Sequence, residues 1–283
     1  PSVVDLKKAV QVAYHETLAS AKAIKIYHEM NLDGQIGIIL NLTPSYPRNE
    51  NDPEDVKAAR LADAFFNRSF LDPAIKGTFP EDLVLLLKEL DYLPEYTQSE
   101  LELIKHNTID ILGINYYQPR RIMKKESTER LSDKPMPDDY FDNYIWPERK
   151  MNPYRGWEIY EKGIYDCLIN VRDNYGNLPC FISENGMGVE GEERFVNADG
   201  MIEDDYRIEF VQDHLKYVHQ ALQEGCNVKG YHMWTCMDNW SWTNAYKNRY
   251  GFIAVDLTQE GKRTIKKSGY WFKEVSDNNG FDA

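Results

Sequence analysis

Only four cysteines occur in 283 residues: Cys167, Cys180, Cys226 and Cys236. They are scattered, lack zinc-ligand spacing, and fall far below the density of a disulfide-stapled secreted scaffold. Most lie inside apolar segments, so buried thiols in a cytoplasmic protein are expected. Basic residues are scarce as well, with 33 Lys and Arg against 46 Asp and Glu, a formal net charge of −13. That balance argues against nucleic acid or an anionic membrane as partner, although a local basic pocket still admits an anionic substrate. No apolar run approaches the roughly 20 residues needed to span a bilayer. The N-terminal "PSVVDLKKAV" lacks the basic-then-apolar order of a signal peptide. The six histidines have no ligand spacing, which disfavours a metal hydrolase. His15, His28, His214 and His219 fall on predicted helices, and all six are expected to serve surface or packing roles. No Gly-rich phosphate turn follows any predicted strand, which counts against a nucleotide-binding open sheet.

What is present alternates between two periods. The first 30 residues place Val10, Ala13, Leu18, Ala21 and Ile24 at helical spacing. "QIGIILNLTPSYP" reads as a buried strand stopped by Thr-Pro. Asp52 followed by Pro53 signals a helix start, and Thr97 with Glu100 has capping-box spacing. Further strands are expected in "TIDILGINYY", "LPCFISENG" and "NVKGYHMWTC", with helices between them and a closing helix in "KKSGYWFKEVSDNNG". "YGFIAVDL" adds a short strand, and residues 118–155 read as one long polar loop. Strands apolar on both faces, alternating with helices, imply a parallel sheet covered by helices.

Polar and aromatic residues gather at the C-terminal strand ends: Asn41, Asn115-Tyr116-Tyr117, Glu184-Asn185 and Trp234. A (β/α)8 barrel builds its active site there. Only four strand–helix units are legible and the chain opens directly in a helix. Residues 1–283 are therefore expected to be the C-terminal half, strands 5–8, of a single barrel domain. Glu184 is the informative residue. It ends an apolar strand and precedes Asn185-Gly186, read as a turn whose residues tolerate positive φ. A charge at that point is costly unless it is used. Tyr and Trp at the neighbouring strand ends suit a sugar, with rings on C–H faces and polar tips on hydroxyls.

The segments "FLDPAIKGTFP", "DILGINYY", "FISENGMG", "DDYRIEFVQDHL", "GYHMWTCMDNWSW" and "NRYGFIAVD" together resemble family 1 glycoside hydrolases, the β-glucosidase and 6-phospho-β-glycosidase group. The likeness runs from about residue 66 to the end. It implies a retaining hydrolase on a (β/α)8 barrel with no metal or organic cofactor. Glu184 corresponds to the nucleophile, with Ser183 where Thr is usual. Tyr117 corresponds to the residue that orients the nucleophile, Asn115 lines the same strand end, and Trp234 is the sugar platform. The family's acid/base Glu, in an "NEP"-type motif, has no counterpart here. It is expected in a missing N-terminal half, because Glu190, Glu192 and Glu193 lie in a predicted loop.

"DNWSWTNAYKNRYG", residues 238–251, bears on substrate class. Plain β-glucosidases carry Glu where this chain has Ser241. A carboxylate would repel a 6-phosphate, whereas a hydroxyl donates to it. Phospho-specific relatives pair that Ser with a Lys and a Tyr. Tyr250 matches, but the Lys position holds Asn248, leaving Lys247 or Arg249 to reach the phosphate. Trp242, which follows the serine, keeps galacto as well as gluco stereochemistry open. The resemblance thus implies a cytoplasmic 6-phospho-β-glucosidase acting on a phosphorylated β-glycoside. Plain β-glucosidase, 6-phospho-β-galactosidase and an inactive sugar-binding remnant are alternatives, and a homo-oligomer stays open.

Overall fold

Asp5 opens the first helix, α1 (Leu6–Glu29), by accepting the Lys8 amide on its carboxylate. The computed structural model describes residues 3–130 and 132–282. It divides into two units, one of Pro1–Ile114, Pro119–Glu148 and Asn170–Cys180, the other of Asn115–Gln118, Arg149–Ile169 and Phe181–Ala283.

In the first unit the buried stripe of α1 comprises Leu6, Tyr14, Leu18, Ala21 and Ile24. Leu18, Ala21 and Ile24 match the sequence reading, whereas Val10 and Ala13 are only half-buried and Tyr14 is buried instead. Strand β1 (Gly37–Asn41) and strand β2 (Ser45–Pro47) follow. Asp52 accepts the Glu54 amide and starts α2 (Pro53–Asp63) as the sequence implies. A π-helical turn, Ala64–Arg68, carries α2 into α3 (Ser69–Lys76), which Gly77 stops in the left-handed region. Helix α4 (Glu81–Glu89) precedes α5 (Gln98–His106), whose Thr97–Glu100 capping box forms in both directions. Ile104 of α5 packs on the α1 stripe. Strand β3 (Ile111–Asn115) then runs beside β1. β3 is buried through its middle, but β1 alternates exposed and half-buried positions, with Ile39 open to solvent. The expectation of an apolar strand covered on both faces therefore holds for β3 and not for β1.

The stretch expected as one polar loop contains ordered strands. β4 (Arg120–Lys124) pairs in parallel with β2, and β5 (Phe141–Asn143) pairs antiparallel with β4. Ile122 is the one fully buried side chain of β4, so no apolar alternation marks the strand in the sequence. A buried carboxylate holds it instead. Asp55 accepts the Lys124 amide at 2.8 Å and pairs with Arg48 at 3.1 Å, while Ala58, Ala59 and Ala62 of α2 pack on Ile122 and Phe141.

The second unit contains β6 (Lys150–Met151) and β7 (Glu158–Ile159), paired antiparallel, then α6 (Lys162–Asn174). Strand β8 (Cys180–Glu184) ends at the candidate acid, and β9 (Val189–Glu190) follows. Helix α7 (Asp205–Gln223) leads to β10 (Val228–Tyr231) beside β8. Bonds from His232 N to Ile182 O and Trp234 N to Asn185 O rise together along both segments, which makes them parallel. β11 (Asn248–Arg249) pairs with β9, β12 (Ile253–Asp256) pairs with β13 (Lys262–Ile265), and α8 (Lys267–Asn278) closes the chain. Ile159, Met187, Val189, Phe210, Val211 and Met233 form this unit's core. Three cysteines are buried as expected, but Cys236 is exposed.

His214 is fully buried in α7, with Nδ1 against the Phe210 carbonyl at 2.7 Å and its ring 4.1 Å from the Phe210 ring. Burial lowers its pKa to about 4, against the smaller upward pull of the Phe210 carbonyl, Glu161 and Asp213. The unfolded chain therefore binds this proton more readily than the folded one. The contribution is fully present above pH 6.5 and is lost as pH falls towards 4, by roughly 3 kcal/mol. Urea unfolding of the parent and of His214→Gln at pH 7 and pH 4.5 checks this: the variant should lose less stability between the two pH values. Equal losses would refute the assignment.

Candidate active site

Glu184 is the last residue of β8, and its Oε2 accepts the Tyr117 hydroxyl at 2.7 Å. Burial, and then the carboxylate itself, push the Tyr117 phenol far above its ordinary range, so it remains a donor. The two residues meet because the chain continues past β3 alongside β8, with the Tyr116 amide donating to the Glu184 carbonyl at 2.9 Å. Ser183 Oγ donates to Asn115 Oδ1 at 2.7 Å and ties the two strand ends a second time. Tyr116 faces away from this group, fully buried, with its hydroxyl on the Tyr160 carbonyl at 2.6 Å.

Asn185 and Gly186 do not form the positive-φ turn expected from their sequence. Asn185 is fully buried. Its amide donates to Tyr116 O at 2.8 Å and its Oδ1 accepts the Tyr231 hydroxyl at 2.7 Å. Gly186 is needed for close approach, because a Cβ there would stand 2.1 Å from the Trp234 carbonyl oxygen. The Trp234 amide in turn donates to Asn185 O at 2.9 Å, which sets Trp234 directly after Glu184's strand end. Gly186→Ala should therefore displace Trp234 and lower stability by about 1–3 kcal/mol, read by thermal unfolding. An unchanged melting temperature would show that the contact yields freely.

Trp157 extends the group. Its ring meets Tyr117 edge-on at 5.7 Å between centroids and carries the Arg155 guanidinium at 3.8 Å. Arg155 Nε donates to the Tyr250 hydroxyl at 2.7 Å. Tyr250 is buried, which raises its pKa, and Gly188 lies under its ring so closely that a Cβ would be 2.6 Å away. Glu184, Tyr117, Asn115 and Tyr250 are thus linked through Ser183, Trp157 and Arg155, and sequence reasoning identified none of those three contacts.

Other residues named from sequence lie on the looped segment of residues 238–251, a hairpin in which Ser241 and Ala245 bridge antiparallel. Ser241 and Ala245 exchange two backbone bonds at 2.9 Å, closing a tight loop. Trp242 sits at its tip, 90% exposed, edge-on to Trp240. Lys247 is exposed and pairs with Glu190 at 3.3 Å. Arg249 reaches Asp238 at 3.8 Å and the Val255 carbonyl at 3.3 Å. Among the described residues Ser241, Trp242 and Lys247 make no hydrogen bond or ion pair with Glu184, Tyr117 or Tyr250. The reason is local: Glu190 lies opposite on β9, and the tight loop turns the tryptophan outward.

A buried ionic cluster supports this hairpin. Arg207 bonds Asp204 at 2.9 Å and Glu192, and also donates to the carbonyls of Met187 at 2.7 Å and Tyr250 at 3.2 Å. Lys266 pairs with Glu192 and with Asp238 at 3.1 Å, and Asp238 accepts the Gly251 amide at 2.9 Å. All five ionic side chains are buried. Glu192, set aside in the sequence as a loop residue, is the centre of the cluster. Nothing in its local sequence marks it, since its partners lie 15 and 74 residues away. Among the described residues no group of three or more His, Cys, Asp or Glu could hold a metal ion, and no helix is long and apolar enough to cross a membrane.

The family profile described as glycosyl hydrolase family 1 matches residues 1–281. The chain is 64% identical over 281 residues to "6-phospho-beta-glucosidase GmuD" of Bacillus subtilis strain 168, covering 99% of this chain and 60% of that protein. It is 37% identical to "Beta-glucosidase A" of Acetivibrio thermocellus, covering 99% and 60%. A solved family 1 β-glucosidase from Thermotoga maritima superposes with a TM-score of 0.86 at 31% identity, covering all of this chain and 59% of that one. The chain therefore spans about 60% of the length of the curated relatives it matches, and its fold is the corresponding part of a (β/α)8 barrel. The chain belongs to glycosyl hydrolase family 1.

Proposed function

We propose that this chain supplies the nucleophile of a retaining 6-phospho-β-glucosidase, and that the nucleophile is Glu184. The observation that carries the reading is the 2.7 Å bond from Tyr117 to Oε2 at the end of β8. One carboxylate oxygen is held by a permanent donor, which leaves Oε1 to attack the anomeric carbon. The new C–O bond forms as the bond to the aglycone breaks, and water then releases the sugar from the glycosyl–Glu184 ester. The phosphorylated substrate is supported by the relatives, since a protein named for 6-phospho-β-glucosides is 64% identical and one named as a β-glucosidase 37%. A sugar phosphorylated on uptake would meet the enzyme in the cytoplasm.

The test is covalent labelling by 2,4-dinitrophenyl 2-deoxy-2-fluoro-β-glucoside, with and without a 6-phosphate, read by intact and peptide mass. Dinitrophenolate departs without acid assistance. The assay therefore needs only the nucleophile, which suits a group in which no second carboxylate is bonded to Glu184 or Tyr117 among the described residues. Labelling of Glu184 by the phosphorylated reagent in preference to the plain one is the expected result. Preference for the plain reagent would make the chain part of a β-glucosidase, and no label from either would overturn the assignment.

A further inference from the structure

We propose that Arg155 is the cation that receives the substrate's 6-phosphate, and so the residue that sets the preference for phosphorylated sugars. The inference rests on the reading of the site given above and names a residue outside the hairpin. A phosphate dianion buried beside a sugar needs a fixed cation as well as neutral donors. The two cations on the hairpin are already engaged. Lys247 faces outward to Glu190, and Arg249 is held by Asp238 and the Val255 carbonyl.

Arg155 differs in three ways. It has no carboxylate within ion-pair distance among the described residues, so its charge is uncompensated. Its guanidinium plane is fixed twice, by the Trp157 ring at 3.8 Å and by the Nε bond to Tyr250 at 2.7 Å. Its two terminal nitrogens, with four N–H groups, have no hydrogen-bond partner among the described residues. The bond to Tyr250 also orients the phenol. The oxygen accepts from Nε, so its own proton is free to point at an anion. Guanidinium and phenol together form a ready donor set for phosphate oxygens. Through Trp157 the same guanidinium is one ring away from Tyr117, the partner of Glu184. The charge therefore lies at the edge of the nucleophile's own group, as required for a sugar whose C1 is attacked while its C6 substituent is held.

The experiment measures the labelling rates of Glu184 with the phosphorylated and plain fluoroglucosides in the parent chain, Arg155→Met and Arg155→Lys. Their ratio should fall roughly 10- to 100-fold in Arg155→Met, the size of a charge-assisted bond, and recover in part in Arg155→Lys. A parent ratio favouring phosphate that survives unchanged in Arg155→Met overturns the role of Arg155 while leaving the proposed function intact. A parent with no preference for phosphate overturns both. A second measurement needs no variant. Phenylglyoxal modification of Arg155, followed by peptide mass, should be blocked by glucose 6-phosphate and not by glucose. Equal modification in the two sugars refutes the assignment even if Arg155→Met does not fold.

Discussion

Glu184→Ala is expected to abolish covalent labelling by either fluoroglucoside, a fall of roughly 10⁴-fold or more, because it removes the carboxylate proposed to form the ester. The melting temperature should hardly change, since Glu184 is only half-buried and makes one side-chain hydrogen bond. Tyr117→Phe separates orientation from attack. It removes the 2.7 Å donor and leaves the ring on Trp157, so the ester still forms, but about 10- to 100-fold more slowly. The pair of results is diagnostic. A label that persists in Glu184→Ala, on another carboxylate, would relocate the nucleophile. A Tyr117→Phe rate equal to the parent's would show that the hydrogen bond does not orient the carboxylate.

Lys266→Met is expected to be strongly destabilising. The cluster it belongs to holds two cations, Arg207 and Lys266, and three carboxylates, Glu192, Asp204 and Asp238. Burial depresses the Lys266 pKa, with Arg207 adding to the effect. Removing its charge leaves Glu192 and Asp238 buried with only Arg207 and the more distant Arg249 to balance them. Stranding buried charge in this way costs about 3–5 kcal/mol, or roughly 10 °C in melting temperature. Lys262→Met, an exposed change on β13, is the control and should fall within about 0.5 kcal/mol of the parent. Similar melting temperatures for the two variants would show that the cluster contributes little. The substitution should also slow labelling by the phosphorylated reagent. Arg207 holds the carbonyls of Arg249 and Tyr250, and Asp238 holds the Gly251 amide, so the cluster fixes the backbone on both sides of Tyr250.

Local signals carried much of this molecule into its sequence. Asp52-Pro53 and the Thr97–Glu100 box mark helix starts that the structure reproduces, because capping is settled within four residues. Glu184 and Asn115 were legible because each ends its strand, with Tyr117 two residues beyond β3, and the hydrogen bonds of Tyr117 to Glu184 and of Ser183 to Asn115 bring them together. β4 was not legible, since a strand held by Asp55 and by one buried isoleucine shows no alternation. Asn185-Gly186 illustrates a different limit. The dipeptide resembles a turn, yet its glycine answers to the Trp234 carbonyl, a contact 48 residues away that no local pattern records. The partners of the two cations near Tyr250 were not legible for a related reason. Spacing placed Lys247 and Arg249 near Tyr250 along the chain, but in the fold Glu190 from β9 pairs with Lys247, and Asp238, eleven residues back, pairs with Arg249. Arg155 approaches from 95 positions away.

One indole serves two neighbours. Trp157 bears Arg155 on its face and Tyr117 against its edge, so the group bonded to Glu184 and the group proposed to read substrate charge rest on a single side chain. Their mutational effects will be epistatic: a double-mutant cycle at residues 117 and 155 should show a coupling energy of about 0.5 kcal/mol or more. A change of substrate by substitution in this site would then require the two positions to change together, since re-seating the arginine tilts the ring on which the tyrosine leans.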